Sequence, residues 1–177
     1  MSEHQYLNPF LALPRTGALF FSGSAFYIGF VDPFVRDSLR NPRAQLTHWG
    51  TMFRWSSVIM LGIAAGTGAS ALKAYEVSKE PMWLIGGLAM MSVVPYTALF
   101  LRPLNNELLH EDKYTGAEID ISKRDGVIAS LKKWVKLHRV RLLISLTAAF
   151  IFYVAEGESS GGSKGIQVDI EVKWSVW

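Results

Sequence analysis

The chain lacks cysteine altogether, and this absence removes several classes of site. None of its 177 residues is cysteine, so disulfides, thiolate zinc sites, iron–sulfur clusters and cysteine nucleophiles are excluded. Sequence marks of other common chemistries are missing as well. The chain has no phosphate-binding glycine loop, no H-E-x-x-H pair and no dinucleotide fingerprint. Its chemistry, if any, therefore follows none of these motifs.

Charge is also scarce, and it is unevenly distributed. Only 19% of the residues are charged and 50% are hydrophobic, which excludes intrinsic disorder. Four runs contain no Asp, Glu, Lys or Arg, and they are Thr16–Val31, Trp55–Leu72, Pro81–Leu101 and Leu142–Ala155. A bilayer core about 30 Å thick is crossed by roughly 20 apolar residues in a helix. The pattern predicts an all-α fold, a four-helix transmembrane bundle over residues 1–156.

The first and last runs are short for a membrane span. They hold 16 and 14 residues, so Asp32, Arg139 and Arg141 at their ends would have to snorkel or face a polar interior. Helical spacing of apolar residues over Gly126–Arg141 runs into the last span and predicts a cytoplasmic helical extension of the fourth helix. Residues 115–124 are expected to be irregular.

The remaining segment, residues 157–177, is predicted to be a tail. Gly157–Gly165 has the composition of a flexible linker, and Ile166–Trp174 alternates like a short strand. One strand without a partner is marginal. The tail is therefore expected to be an appendage or a contact in an oligomer.

The basic residues indicate how the spans are oriented. Of the 18 Lys and Arg residues, 13 lie in the loops that follow the first and third spans. The positive-inside rule places these loops in the cytoplasm and both termini across the membrane. We expect a multi-pass protein of an endomembrane such as the endoplasmic reticulum, with its first span retained. The net charge of +3 indicates contact with anionic lipid of the bilayer rather than with nucleic acid.

Small residues mark two of the predicted spans as packing faces. Gly62 and Gly66 form a G-x-x-x-G pair in the second span, a spacing that allows close helix contact. A homo-oligomer or a larger membrane complex is a possible partner on this basis. In the third span, Pro95 predicts a kink, because proline removes a helix hydrogen bond.

The fourth helix carries the first candidate site. Trp134, His138 and Arg141 are spaced at i, i+4 and i+7, which puts an indole, an imidazole and a guanidinium on one face where the helix enters the membrane. Ionisable groups are costly there unless they face a cavity or headgroups, so a functional site is the default hypothesis. The alternative is a set of interfacial lipid anchors.

Polar residues of the third span belong to the same predicted pocket. Asn105 and Asn106 close that span at the depth of His138. They suit a helix end, and capping is the alternative interpretation. Together with Tyr96, they are predicted to line a pocket at the cytoplasmic boundary of the membrane.

A metal site is the weakest candidate. Glu107, His110 and Glu111 fall at i, i+3 and i+4, an arrangement on one face that can hold a hard or borderline metal. No second ligand pair is evident in the sequence, and His138 is a further ligand only if the fold brings it close. A solvated acidic face is the alternative.

Several short motifs together carry a family resemblance. They are Phe20-Phe21-Ser22-Gly23 followed by Pro33, Pro95-Tyr96-Thr97, Asn105-Asn106-Glu107-Leu108-Leu109, and Trp134, His138 and Arg141 in W-x-x-x-H-x-x-R. With them the chain resembles the anthrone oxygenase-like family of small four-span membrane proteins. One part of the match is ambiguous. The family has a tryptophan in the segment between the first two spans, and both Trp49 and Trp55 fit that position.

The resemblance implies oxidation of an aromatic polyketide-like molecule, an anthrone, to the quinone by dioxygen as co-substrate, without an evident cofactor. His138 would be the base, kept neutral by desolvation and nearby cations. Arg141 and Asn106 would hold the oxygens, and Trp134 and Tyr96 would stack on the rings. Two alternatives remain open, a non-catalytic membrane subunit or scaffold and a metal-dependent oxidase.

Overall fold

The computed structural model describes residues 9–114 and 121–160, and every regular element in those segments is helical. Two π-helical turns, Tyr27–Val31 and Thr97–Leu101, join α1 to α2 and α4 to α5 without a break; we call them the first and second π turns. The α-helices are α1 (Pro9–Phe26), α2 (Asp32–Ser38), α3 (Pro42–Ser78), α4 (Pro81–Tyr96), α5 (Arg102–Tyr114) and α6 (Ile121–Ser160).

The elements form four long helical rods packed as a bundle. Helix α1 packs against α3 and α6, and α4 packs against the same two helices. Helices α1 and α4 therefore occupy opposite corners. All four rods are long and apolar enough to cross a membrane, and the qualifying stretches are Leu11–Ser38, Pro42–Ser78, Pro81–Glu111 and Arg124–Glu158. The predicted four-helix architecture is confirmed.

The starts and ends of the helices follow from local sequence. Asn41 caps α3 by accepting a hydrogen bond from the Arg43 amide at 2.8 Å, and Glu80 caps α4 through the Met82 amide at 3.2 Å. Each cap is followed by proline at the first helical position, where a missing N–H costs nothing. Between the two helices, Lys79 adopts a left-handed conformation with φ of 60° and ends α3.

Large apolar side chains face both the inside and the outside of the bundle. Phe34, Trp55 and Phe150 are exposed, as lipid-facing residues would be. Trp83, by contrast, is completely buried and stacks on Phe152 with ring centroids 5.8 Å apart. Its position near the start of a span therefore reflects packing between α4 and α6, and not the aromatic belt of the membrane interface.

Small residues do allow close packing, but the G-x-x-x-G pair is not among them. A Cβ atom on Gly68 would lie 2.6 Å from Met91, and one on Gly86 would lie 2.5 Å from Phe152. Gly62 and Gly66 face outwards, and a Cβ atom on either would meet nothing within 4 Å. The pair makes no close contact within the bundle, because α3 turns its other face towards α1 and α4, and a contact with a second copy or a partner stays a prediction.

Both π turns end immediately before an X-Pro pair. The first is followed by Asp32 and Pro33, the second by Arg102 and Pro103. A proline ring clashes with the carbonyl four residues earlier and brings no N–H. Each rod accommodates this by one wider turn, in which the amide before the proline bonds the carbonyl five residues back. The earlier Pro95 lies within α4, and the distortion that follows it is the second π turn.

Helix α6 extends further than predicted at both ends. Residues 121–124 are helical although they were expected to be irregular, and residues 157–160 continue the helix into the predicted linker. The helical extension before the last span is confirmed. The predicted strand at Ile166–Trp174 lies outside the described residues, and the domain boundary at residue 156 stays a prediction.

Candidate active site

The predicted face of α6 points into the bundle. Trp134, His138 and Arg141 are all buried, and His138 is only 1% exposed. The Trp134 indole stacks on the His138 imidazole with ring centroids 4.9 Å apart and planes inclined by 19°. Helical periodicity alone aligns the three side chains, since they lie one and two turns apart. The structure thus brings together the three residues that the W-x-x-x-H-x-x-R spacing singles out.

Two aromatic residues of α3 complete this cluster. Trp49 is fully buried and meets Trp134 edge to face, with ring centroids 5.7 Å apart. Phe53, one turn further along α3, stacks on Trp49 at 5.1 Å. The competing residue, Trp55, is 75% exposed. The structure therefore resolves the ambiguous register in favour of Trp49.

Asn105 joins the cluster from α5. Its side-chain oxygen accepts a buried hydrogen bond of 2.7 Å from the Trp134 indole nitrogen. The bond consumes the only donor of the indole and leaves the Asn105 amide NH₂ available as a donor. Asn105 lies within α5 and is not a helix cap, since the rod continues to Tyr114.

His138 lies in an unusually closed environment. Within residues 9–114 and 121–160, neither of its ring nitrogens has a hydrogen-bond partner. A Cβ atom on Gly29, in the first π turn, would lie 3.8 Å from the imidazole and 3.3 Å from the Arg139 side chain. The Gly29 carbonyl accepts a 3.0 Å bond from Arg139 Nε. This carbonyl lacks its usual helical donor, because the residue four positions on is Pro33.

Arg141 is buried, and no carboxylate among the described residues pairs with it. It is 9% exposed, and in the described part of the chain its Nε has no hydrogen-bond partner. Its guanidinium carbon lies 5.3 Å from the centre of the Phe21 ring, within cation–π range. Such a group is expensive in an apolar bundle unless something else meets its charge. This is the feature that most strongly indicates a ligand.

A cleft of about 270 Å³ opens beside Arg141, between α3 and the rod that contains α4 and α5. This volume is close to the lower bound of about 300 Å³ typical of small-molecule sites. Its walls are mainly apolar, and its polar side chains come from three sides of the cleft. The lining residues are Phe53, Ser57, Met60, Leu61, Ala64, Val93, Val94, Thr97, Ala98, Arg102, Asn105 and Arg141.

Two predicted site residues lie away from this cleft. Asn106 is exposed, because adjacent helical residues point about 100° apart and Asn105 occupies the inward position. Tyr96 is half-buried and donates a 3.0 Å hydrogen bond to the Leu137 carbonyl. It also packs against Phe100 at 5.1 Å. Tyr96 therefore links α4 to α6 through a hydrogen bond. Asn106 does not come together with the other site residues.

The candidate metal ligands are not gathered into a metal centre. Across the described ranges, no group of three or more His, Asp or Glu side chains is placed to hold an ion. Glu107 accepts a hydrogen bond of 2.9 Å from the Ser130 hydroxyl. His110 and Glu111 have interactions of their own. Metal binding by these three residues stays a prediction.

A second buried polar cluster follows the first π turn. Asp32 and Arg36 are almost fully buried, with Asp32 Oδ2 at 3.6 Å from Arg36 Nη1. His48 Nε2 hydrogen-bonds to the other carboxylate oxygen at 2.8 Å. His48 lies in α3 and contacts Asp32, although the charged residues around it in the sequence favour a solvated loop. Asp32, the charged residue at the end of the short first span, therefore faces polar groups inside the protein, as expected.

Sequence reasoning missed several of these residues. Phe53, Gly29, Arg36 and Arg102 carry no motif, and their importance depends on which helix faces them. A signal did exist for Gly29, since Pro33 four residues later predicts a carbonyl without a helical donor. For Phe53 and Arg102, no local pattern distinguishes a cleft-lining residue from a lipid-facing one.

Comparisons with known proteins match the part of the chain that contains these residues. A family model described as anthrone oxygenase matches residues 49–151, more than half of the chain and a stretch that starts at Trp49 and includes the cleft and the buried face of α6. No solved structure gives a significant match.

Curated relatives are similar over much of their length. An anthrone oxygenase of Cryptosporiopsis sp. is 28% identical over 141 residues, 78% of this chain and 74% of the relative. A noranthrone monooxygenase of Aspergillus flavus is 34% identical over 125 residues, 66% of this chain and 58% of the relative. An anthrone oxygenase of Claviceps purpurea is 26% identical over 152 residues, 81% and 84% of the two chains.

Proposed function

The chain belongs to the anthrone oxygenase family, and from that premise we propose that it is a membrane-embedded enzyme that oxidises an anthrone to the anthraquinone with dioxygen and no cofactor. Relatives named anthrone oxygenase and noranthrone monooxygenase support oxygenase chemistry. One observation carries the proposal for this chain. Among the residues that the structure describes, a buried arginine without a counter-ion borders an apolar cleft, one helical turn from a buried histidine whose ring nitrogens have no hydrogen bonds.

The reaction needs little from the protein. A base removes one proton from the anthrone methylene, which gives an aromatic, phenolate-like anion. The anion passes one electron to dioxygen, and the two radicals combine to a peroxide anion on the same carbon. This anion takes the proton back from the base and becomes a hydroperoxide. Loss of the second C–H proton with cleavage of the O–O bond gives the quinone carbonyl and one water. The enzyme supplies a base, stabilisation of the oxyanion and exclusion of water.

His138 is the proposed base. Its ring nitrogens are unoccupied by any described protein group, so either could accept a proton directly or through one water. The ring does not line the cleft, but it lies one turn before Arg141 on the same helix face. The stack on Trp134 fixes its orientation.

Arg141 and Asn105 are the proposed oxyanion donors. Both line the cleft. Arg141 brings a guanidinium that no described carboxylate neutralises, and Asn105 brings the amide NH₂ that its bond to Trp134 leaves available. A preformed donor set in an apolar site stabilises developing charge more than the same set in water. Asn106, predicted for this role from the sequence, is exposed, and the inward Asn105 takes its place in the proposal.

The ring-binding surface is proposed to be the apolar wall with Phe53. Trp134 and Tyr96 then act as positioning residues: the indole holds His138 and Asn105, and the Tyr96 hydroxyl holds α6. An apolar tricyclic substrate partitions into lipid, so a lateral opening between α3 and the α4–α5 rod suits its entry. The basic residues of the loops support placing the Arg102 end of the cleft on the cytoplasmic side. Both termini then lie on the other side of an endomembrane such as the endoplasmic reticulum.

The proposal is tested with membranes that contain the full chain and an anthrone under air. We expect His138→Ala and Arg141→Lys each to lower the rate of quinone formation by about a hundredfold after subtraction of spontaneous oxidation. Lys136→Gln, an exposed change on the same helix, is the matched control. Variant levels and melting temperatures are compared with those of the wild type, so that misfolding is recognised.

Wild-type rates in both variants at equal protein levels would contradict these assignments. An active protein that contains a stoichiometric metal and loses its activity with the metal would contradict the cofactor-free mechanism. A wild-type chain without turnover that is purified with a stable, stoichiometric partner would favour the alternative of a non-catalytic subunit.

A further inference from the structure

The cleft contains a second arginine that the proposed chemistry does not use. Arg102, the first residue of α5, lines the cleft from its exposed rim, whereas Arg141 lines it from inside the bundle. None of the lining residues is Asp or Glu. In the part of the chain that the structure describes, no carboxylate pairs with either guanidinium. The cleft is therefore cationic and lacks a protein counter-charge.

The other polar groups of the cleft do not offset this. Ser57 and Thr97 contribute hydroxyls, but each donates its proton to its own helix, at 3.4 Å to the Arg54 carbonyl and 2.7 Å to the Val93 carbonyl. They present only lone pairs to a ligand. The donors that remain are the two guanidinium groups and the Asn105 amide. Such a set fits a ligand with oxygen acceptors at two places, at least one of them charged.

We propose, on the basis of the function proposed above, that the substrate carries an acidic group, a ring carboxylate, and that Arg102 binds it at the rim of the cleft. Arg141 then meets the oxygen that becomes charged in the reaction. A flat ring system with a carboxylate on only one of its outer rings is held in a single orientation, since reversal would place an outer ring without an acceptor against Arg102. Arg102 thus sets the specificity for acidic over neutral anthrones.

A lipid phosphate offers Arg102 the same chemistry as a carboxylate. Its exposure makes this source plausible, because arginines near a membrane surface pair with headgroups. The two sources differ in one respect. Binding of a lipid phosphate would not depend on the substituents of the substrate, whereas binding of a substrate carboxylate would.

The test compares two substrates that differ in one group, anthrone-2-carboxylic acid and anthrone, with the full chain in vesicles of neutral phosphatidylcholine. We expect Arg102→Gln to lower the ratio of kcat/KM values, acidic over neutral, by about fivefold, mostly through KM for the acid, as for a partly exposed charge pair. Lys136→Gln, which removes an exposed cation outside the cleft, should leave the ratio unchanged. Adding anionic lipid should not abolish the preference.

An unchanged ratio in Arg102→Gln would overturn the inference, and sensitivity to anionic lipid alone would assign Arg102 to the headgroups. A separate binding measurement keeps the two proposals distinguishable. If the wild type oxidises neither substrate, the proposed function fails. Quenching of tryptophan fluorescence by anthraquinone-2-carboxylate then decides the inference, which stands only if Arg102→Gln raises the Kd and Lys136→Gln does not.

Discussion

The two π turns are followed by similar residues but lie in opposite environments. Each ends at a charged residue followed by proline, Asp32 at the first turn and Arg102 at the second. The first turn is closed: Gly29 is covered by α6 and Asp32 is buried with Arg36 and His48. The second is open, with Thr97 and Ala98 on the wall of the cleft and Arg102 at its rim.

The difference shows how one backbone device serves two purposes. A π turn displaces the following residues relative to a regular helix and is frequent at functional sites. At the first turn the displacement gives a bare carbonyl to Arg139 and a glycine surface to His138, which supports the reactive face of α6 from behind. At the second turn it borders a space that a ligand can enter. Support and access are thus provided by opposite corners of the bundle.

The largest expected contrast is in stability, at the charged residue after each turn. Asp32→Asn leaves the Arg36 charge buried without its carboxylate, so we expect the free energy of unfolding to fall by about 3–5 kcal/mol. Arg102→Gln changes an exposed side chain and should alter it by less than about 0.5 kcal/mol. Thermal unfolding of the detergent-solubilised chain measures both. If both variants lost the same free energy of unfolding, the distinction between a closed first turn and an open second turn would be wrong.

A second contrast tests the closed turn through its glycine. Gly29→Leu places side-chain atoms against His138 and Arg139, so we expect a loss of about 1–3 kcal/mol in stability and a clear fall in quinone formation. Gly23→Leu on α1 is the control, since a Cβ there meets nothing within 4 Å. The idea that this turn supports the reactive face would be wrong if both variants matched the wild type.

The smallest effect is expected at the open turn. Ala98→Leu adds atoms to the wall of the cleft without entering the core, so KM should rise by about tenfold, equivalent to about 1.4 kcal/mol of binding, while stability stays near that of the wild type. Ala65→Leu, exposed on α3 and outside the lining, serves as the control. Steady-state kinetics with a neutral anthrone measure the change. An unaltered KM would mean that the substrate binds elsewhere.

Much of the fold could be predicted because the relevant signals are local. Runs without charge give the spans, and the 3.6-residue period puts Trp134, His138 and Arg141 on one face whatever surrounds them. The extent of α6 was predicted less well. Its first and last turns are polar or glycine-containing, and such residues resemble a loop in composition even where a long helix carries them.

The sequence by itself determined four apolar helices and the residues that share the buried face of α6. Only the tertiary structure decided that Trp49 and not Trp55, and Asn105 and not Asn106, join that face, and that Gly62 and Gly66 point away from the bundle. The physical reason is that periodicity fixes positions around one helix axis. Which side turns inwards depends on how that helix is rotated against its neighbours, and this rotation is set by packing between residues far apart in the chain.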